Sequence, residues 1–241
     1  MEIGKLYGIG VGPGDPELLT LKARRILAEL DVLLIPKSKQ EKRSLALSIV
    51  AASIDKQWEY VEMVMPMTTD RDELKKHWQA AAAQAAEVLT RGQDAGFITL
   101  GDPTLFSTFT YLMKYVRELL PDIQVEIIPG ISAVNSISAW IQQPLAEGEE
   151  SLVIVPALGE KENLKRLVDQ FDNVVLLKAG NQTAKIMEVL KESNTVSRVY
   201  FASRCGFKDG FYTDDLSSLG DRKFDYLTSM LIKKNRGGDE A

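Results

Sequence analysis

The stretch Tyr7–Ala23 reads YGIGVGPGDPELLTLKA, with glycine at 8, 10, 12 and 14 directly after a short apolar run. Glycine at alternate positions where a strand ends implies positive φ or a close approach of the backbone to something. Spacing tests two familiar nucleotide loops. A dinucleotide-binding fingerprint starting at Gly8 needs glycine at 13, where the chain has Pro13, and one starting at Gly10 needs it at 15, where the chain has Asp15. A phosphate loop closes with Gly-Lys-Ser/Thr, but this one closes Gly14-Asp15-Pro16, with an acid where the lysine belongs. Both registers fail, and a tight strand-to-helix turn without ligand is the competing reading. Asp15 is a candidate base or hydrogen-bond acceptor at a substrate edge. Asp followed by Pro is also a standard helix start, so capping is its rival role.

Working outward, short apolar runs alternate with helical patterns through the first 140 residues, as in a mostly parallel sheet covered by crossover helices. Strands are expected at Lys5–Ile9, Val32–Ile35, Trp58–Val64, Ala95–Leu100 and Val125–Ile128. Helices are expected at Leu18–Leu30, Leu45–Ala52, Arg71–Leu89, Leu105–Leu119 and Ala133–Trp140. The segment QQPLAEGEES, Gln142–Ser151, is polar and has no periodic apolar face, so it is the expected linker. The chain therefore divides into an N-terminal α/β domain, 1–146, and a C-terminal one, 147–241. In the second, the last three strand candidates (Arg198–Ala202, Gly210–Thr213, Tyr226–Ile232) follow one another with little helix between them, so that sheet should be mixed.

Composition narrows the classes of function. The 241 residues are 45% hydrophobic and carry 29 basic against 34 acidic side chains, a net charge of −5. That is enough apolar residue for a real core and too acidic for a protein that wraps nucleic acid. One cysteine, Cys205, cannot form an internal disulfide, and one histidine, His77, cannot build a histidine metal site. No run of 18 apolar residues and no signal-peptide pattern is present, so a soluble cytoplasmic protein without membrane contact is expected. Met63, Met65 and Met67 alternate as in a strand and are expected to pack rather than to use their sulfur.

Two more loops fall at strand ends, LGDPTLFST (Leu100–Thr108) and IPGISAV (Ile128–Val134). Ligands bind at the carboxyl ends of strands in open α/β sheets. Asp102 and Ser132, taken singly, are as well explained as helix caps. Three such loops at one edge instead describe a pocket of backbone amides, carbonyls, one carboxylate and small hydroxyls. Without a cationic anchor, it suits a neutral or positively charged nucleoside better than a polyphosphate.

Together, Tyr7–Ala23, LGDPTLFST, PGISA (129–133) and YLTSMLIKK (Tyr226–Lys234) resemble the signature segments of the tetrapyrrole methylase family, spread over nearly the whole chain. IPKSKQEKRSLA, Ile35–Ala46, further resembles the branch that methylates C-20 of precorrin-2 or its cobalt complex, cobalt-factor II, on the way to cobalamin. The resemblance implies two α/β domains with the active-site cleft between them, a homodimer and S-adenosylmethionine as methyl donor, and with a single histidine no protein-bound metal is expected. It implies a donor pocket of Pro13, Leu100, Gly101, Asp102, Leu105, Ser132, Ala133, Ala179, Leu227 and Thr228. In LLKAGN, Lys178-Ala179 stand where relatives often have a bulkier apolar pair.

Methyl transfer from a sulfonium is an in-line displacement, so the enzyme mainly has to hold donor and acceptor carbon in line. That agrees with the lack of any Ser-His-Asp or Cys-His arrangement. A tetrapyrrole rich in carboxylates demands cations from an acidic protein. Lys37, Lys39, Lys42 and Arg43 form the best local basic patch, with a merely solvated loop as the alternative. Arg204 is a second candidate, since its fork suits carboxylates. Rival readings are methylation of another tetrapyrrole carbon, as in uroporphyrinogen III, the different acceptor of diphthine synthase, or a non-catalytic tetrapyrrole- or nucleotide-binding module.

Overall fold

The computed structural model describes residues 2–38, 44–66, 68–157, 159–193, 196–220 and 222–234. The chain divides into two compact units, Met1–Ser132 and Ala133–Ala241.

The first unit alternates β1 (Leu6–Gly10), α1 (Leu21–Glu29), β2 (Val32–Lys37), α2 (Leu45–Ser53), β3 (Glu59–Val64), α3 (Arg71–Thr90), β4 (Ala95–Thr99), α4 (Phe109–Leu119) and β5 (Val125–Ile128). The strands pair in parallel in the order β3-β2-β4-β1-β5. Parallel neighbours need crossovers, and right-handed crossovers running opposite ways along a sheet put their helices on opposite faces. Two cores result. Val32, Leu34, Ala95 and Phe97 pack with α3 and α4, while Leu33, Ile35 and Ile98 pack with α1 and α2. A strand buried on both faces has no polar side to show, which is why β2 reads as an unbroken apolar run. Met63 and Met65 are buried in the first of these cores, and Met67 lies outside the described residues.

Two helix boundaries differ from the sequence expectation. In place of one helix over Leu18–Leu30 there is a 3-10 turn, Pro16–Leu18, and then α1. Each has its own cap: Asp15 Oδ1 accepts the Glu17 N–H at 2.9 Å, and Thr20 Oγ1 accepts the Ala23 N–H at 3.2 Å. A cap of this kind contributes about 1 kcal/mol, so two caps five residues apart stop and restart the chain. The helix expected from Leu105 begins instead at Phe109, because Phe106 has φ 52 and Ser107 Oγ takes the Phe109 N–H at 3.2 Å.

The second unit contains α5 (Ala133–Trp140), β6 (Leu152–Pro156), α6 (Lys161–Gln170), β7 (Asn173–Leu177), α7 (Thr183–Glu192), β8 (Val196–Ser203), β9 (Phe211–Thr213) and β10 (Thr228–Lys234). Its sheet runs β6-β7-β10-β8-β9, with β6 parallel to β7 and every other pair antiparallel, a mixed sheet as expected. Val168 of α6 and Ile186 and Leu190 of α7 close a core over Leu176, Phe201 and Met230. The division falls at Ser132/Ala133, ahead of the boundary near 147 expected from Gln142–Ser151. The reason is local: α5 packs on β10, and the polar segment is tied to the second sheet. Ser151 donates its N–H to Asp172 Oδ2 at 2.8 Å, and Asn173 Nδ2 donates to Glu150 at 2.9 Å. Lys233 Nζ reaches the Pro144 carbonyl at 2.9 Å. Among the described residues no helix is long and apolar enough to cross a membrane.

Candidate active site

In the first sheet β1 lies between β4 and β5, so the loops leaving these three parallel strands start side by side at one edge. Backbone bonds draw them together. Val11 N–H donates to Thr99 O at 3.0 Å, and Gly101 N–H donates to Gly12 O at 2.8 Å, an isolated bridge beyond the ends of both strands. Gly10, Gly101 and Gly130 then meet backbone to backbone. A Cβ on Gly10 would stand 2.5 Å from Gly101 O and 2.6 Å from Gly130 N, and one on Gly130 would stand 2.7 Å from Gly10 C. Real Cβ atoms do not approach so closely, so the meeting of the three loops depends on glycine at these points.

Asp102 locks the arrangement. Its Oδ2 accepts the Gly130 N–H at 3.0 Å across 28 residues of sequence, and its Oδ1 accepts the Thr104 N–H at 2.8 Å. The carboxylate is a clamp between the β4 and β5 loops rather than a cap of α4, which is capped by other means. Behind it Ser107 Oγ donates to Thr99 Oγ1 at 3.1 Å. The Gly130 amide and the Thr99–Ser107 pair escaped sequence reasoning, and only the glycine in PGIS hinted at the first.

Pro13, Gly101 and Ser132 are buried, Leu100, Asp102, Leu105 and Ala133 are half-buried, and backbone groups, one carboxylate and hydroxyls make up the polar set. Glu126, on β5, holds Lys22 at 2.7 Å and is also bonded to Lys5, and these two lysines keep its carboxyl down at about 2. Asp15 spends Oδ1 on its cap, as its rival role required.

In the second unit, β7 and β8 run in the same direction on either side of β10. Ala179 N–H donates to Thr228 O at 2.8 Å and Arg204 N–H to Leu227 O at 3.0 Å, so the start of β10 is held from both sides. Ala179 and Thr228 are buried, and the Thr228 hydroxyl lies 3.1 Å from Ser203 Oγ; Leu227 is half-buried. Arg204 is ion-paired twice, Nη1 to Asp225 Oδ2 at 2.8 Å and Nε to Asp209 Oδ2 at 2.7 Å, and it stacks over Phe207. Lys37 is paired with Glu62 at 3.0 Å, while Lys39, Lys42 and Arg43 lie outside the described residues. His77 sits 4.0 Å from Glu73 on α3. Cys205 is buried 3.1 Å from Ser136 Oγ, and burial pushes its thiol pKa up. Among the described residues no group of three or more His, Cys, Asp or Glu could hold a metal.

Known proteins resemble this chain along most of its length. A protein of Methanocaldococcus jannaschii named "Probable cobalt-precorrin-2 C(20)-methyltransferase" is 34% identical over 234 residues, 96% of this chain and 97% of that protein. The cobalt-precorrin-2 C(20)-methyltransferase of Salmonella typhimurium is 32% identical over 96% of this chain and 97% of its own. The uroporphyrin-III C-methyltransferase of Thermus thermophilus, solved in complex with S-adenosylhomocysteine, shares the fold. It has a TM-score of 0.65 and 19% identity, covering 95% of this chain and 97% of that one. The model of the tetrapyrrole (corrin/porphyrin) methylases matches residues 5–219, and on that span together with these relatives the chain belongs to the tetrapyrrole methylase family.

Proposed function

We propose that this chain is an S-adenosylmethionine-dependent methyltransferase that methylates C-20 of precorrin-2, or of its cobalt complex cobalt-factor II, in cobalamin biosynthesis. Relatives at 32–34% identity over nearly the full chain carry that activity in their names, and a third, from Sinorhizobium, is named precorrin-2 C(20)-methyltransferase at 26% identity. The observation that carries the donor assignment is the glycine-lined edge clamped by Asp102, which offers backbone groups and a carboxylate held by the Gly130 and Thr104 amides. The Asp102 carboxylate would repel a phosphate there, whereas a nucleoside with a positive sulfonium meets acceptors.

The bound donor supplies an electrophilic methyl already activated by the sulfonium. By the family resemblance, Pro13, Leu100, Gly101, Asp102, Leu105 and Ser132 of the first unit and Ala133, Ala179, Leu227 and Thr228 of the second are the proposed donor contacts. Their task is positioning, which can account for most of the rate in a displacement that needs no protein nucleophile. Asp102 orients the loop rather than taking a proton. Asp15 is the carboxylate available to accept a proton from the macrocycle or to bind its edge. Lys37, Lys39, Lys42, Arg43 and Arg204 are the candidate cations for the carboxylates of the acceptor. The enzyme works as a cytoplasmic homodimer and carries no metal of its own.

Incubation with labelled S-adenosylmethionine and precorrin-2, with and without cobalt, tests the assignment. The product should gain one methyl by mass and show a changed visible spectrum. Donor binding without mass gain would make the chain a binding module, and gain only on uroporphyrinogen III would move the target carbon.

A further inference from the structure

The helices α3 and α4 cover one face of the first sheet, and their outer side departs from the polar, charged surface that a solvent-facing helix ordinarily shows. The chain is 26% charged, yet α3 has no charged residue from Trp78 to Ala86, although Gln79, Ala80, Ala83 and Gln84 in that stretch are exposed. Trp78 stacks on Tyr111 of α4, with ring centroids 4.0 Å apart and planes 2° from parallel, and also lies against Tyr115 at 6.4 Å. Tyr111 is still 45% exposed, and Leu119, about two turns further along α4, is 52% exposed. Apolar residues scattered singly on a surface need no explanation. Aromatic anchors beside a helix face without charge have instead the make-up of the centre of an interface, where Trp and Tyr are enriched and charged groups depleted.

The charges next to this stripe decide what fits it. Lys114 and Glu118 are exposed one turn apart on α4, between Tyr111 and Leu119. Lys114 lies over the Tyr115 ring, and neither residue forms an ion pair among the described residues. A twofold axis near Tyr115 would run two copies of α4 antiparallel. Tyr111 would then meet the partner's Leu119, and Lys114 would lie beside the partner's Glu118. Each contact is made twice, because a twofold interface uses the same patch on both sides. A partner of one charge sign would satisfy Lys114 or Glu118 and repel the other.

We propose that the α3–α4 face of the first unit is where two copies of this chain meet, with the α4 helices antiparallel, Tyr111 against the partner's Leu119 and Lys114 against the partner's Glu118. The proposal deepens the homodimer named under the proposed function and rests on it. The stack on Trp78 holds the Tyr111 ring in place before association, so little side-chain freedom is lost when the partner covers it.

Sedimentation equilibrium of the full chain at low salt reads the dimer dissociation constant. Leu119→Asp is expected to raise it about tenfold or more, since two leucines leave the contact at once. Lys114→Glu and Glu118→Lys should each raise it about fivefold, because each turns two attractions into repulsions. Mixing these two single variants is the sharper measurement. One chain then offers two acids and the other two lysines, so the mixed dimer should recover about the wild-type constant, a rescue that altered folding of either chain cannot produce. A dimer that Leu119→Asp leaves intact, or single reversals whose mixture associates no more tightly than either alone, overturns this face and leaves the homodimer standing. Wild-type chain that sediments as a monomer at every concentration overturns the homodimer, and this proposal with it.

Discussion

At the carboxyl edge of the first sheet, Gly10, Gly101 and Gly130 touch backbone to backbone. At the edge of the second sheet, Lys178 and Arg204 keep long side chains on a left-handed chain. The first edge removes side chains so that three loops can meet and offer amides and carbonyls. The second keeps them and accepts backbone strain of about 1–2 kcal/mol per residue to set where they leave. A ligand recognised by shape and weak polarity suits the first kind of edge, and one recognised by charge suits the second. The two α/β units of one chain thus show two ways of shaping a strand end.

The sharpest way to break the contrast is Gly10→Ala. The added methyl collides with Gly101 O and Gly130 N, both backbone atoms that cannot swing aside. Overpacking of this kind costs about 1–3 kcal/mol. The melting temperature should drop by several degrees, and S-adenosylmethionine binding should fall below calorimetric detection. Retained donor binding would mean that the three-glycine contact is dispensable.

Asp102→Ala comes next. It leaves the partly buried Gly130 N–H without its carboxylate, a loss of about 1–3 kcal/mol. Donor affinity should fall about tenfold or more by the same relation, since every 1.4 kcal/mol is tenfold. Porphyrin affinity should hold.

A third substitution sharpens the other edge. Arg204→Ala should weaken tetrapyrrole binding far more than donor binding, and so should Arg43→Ala. Equal losses of both ligands in titration calorimetry would end that assignment.

The smallest effect concerns stability alone. Lys22 and Lys5 hold the Glu126 carboxyl at about 2, against 4.5 ordinarily. A depressed carboxylate stabilises the fold fully above its unfolded pKa, and that contribution is lost as pH falls from about 4.5 through about 2. Glu126→Gln should therefore melt lower than wild type at neutral pH. The gap should close as acid is added, and parallel melting curves against pH would refute the pairing.

Much of this was legible in the sequence, where local rules govern. The alternating glycines after β1, the Pro and Gly at the ends of β4 and β5, and the unbroken apolar run of β2 imply a parallel sheet with a ligand edge. The Asp15-Pro16 start was legible too, since a cap needs only neighbours two or three residues away. The α4 boundary was not. Leu105–Ser107 have a helical pattern, and what bars them from the helix is the turn at Phe106 and the Ser107 hydroxyl on Phe109 N–H. The Asp102–Gly130 bond was not legible for a similar reason, because the two residues are 28 apart and no spacing rule connects them. Lys178 looked like a departure from family pattern at a contact point, and nothing in LLKAGN announces a left-handed lysine.

The sequence by itself determined the class of both sheets, the order of most elements and the chemical character of the first edge. Those follow from hydrophobic period, from where glycine and proline interrupt it and from which charges are missing, all of them properties of short segments. Tertiary structure decided which glycines touch, what Asp102 clamps and where Lys178 and Arg204 leave the backbone. Each of these depends on strands far apart in the chain becoming neighbours, and the free energy of that pairing is not written in any one of the segments it joins.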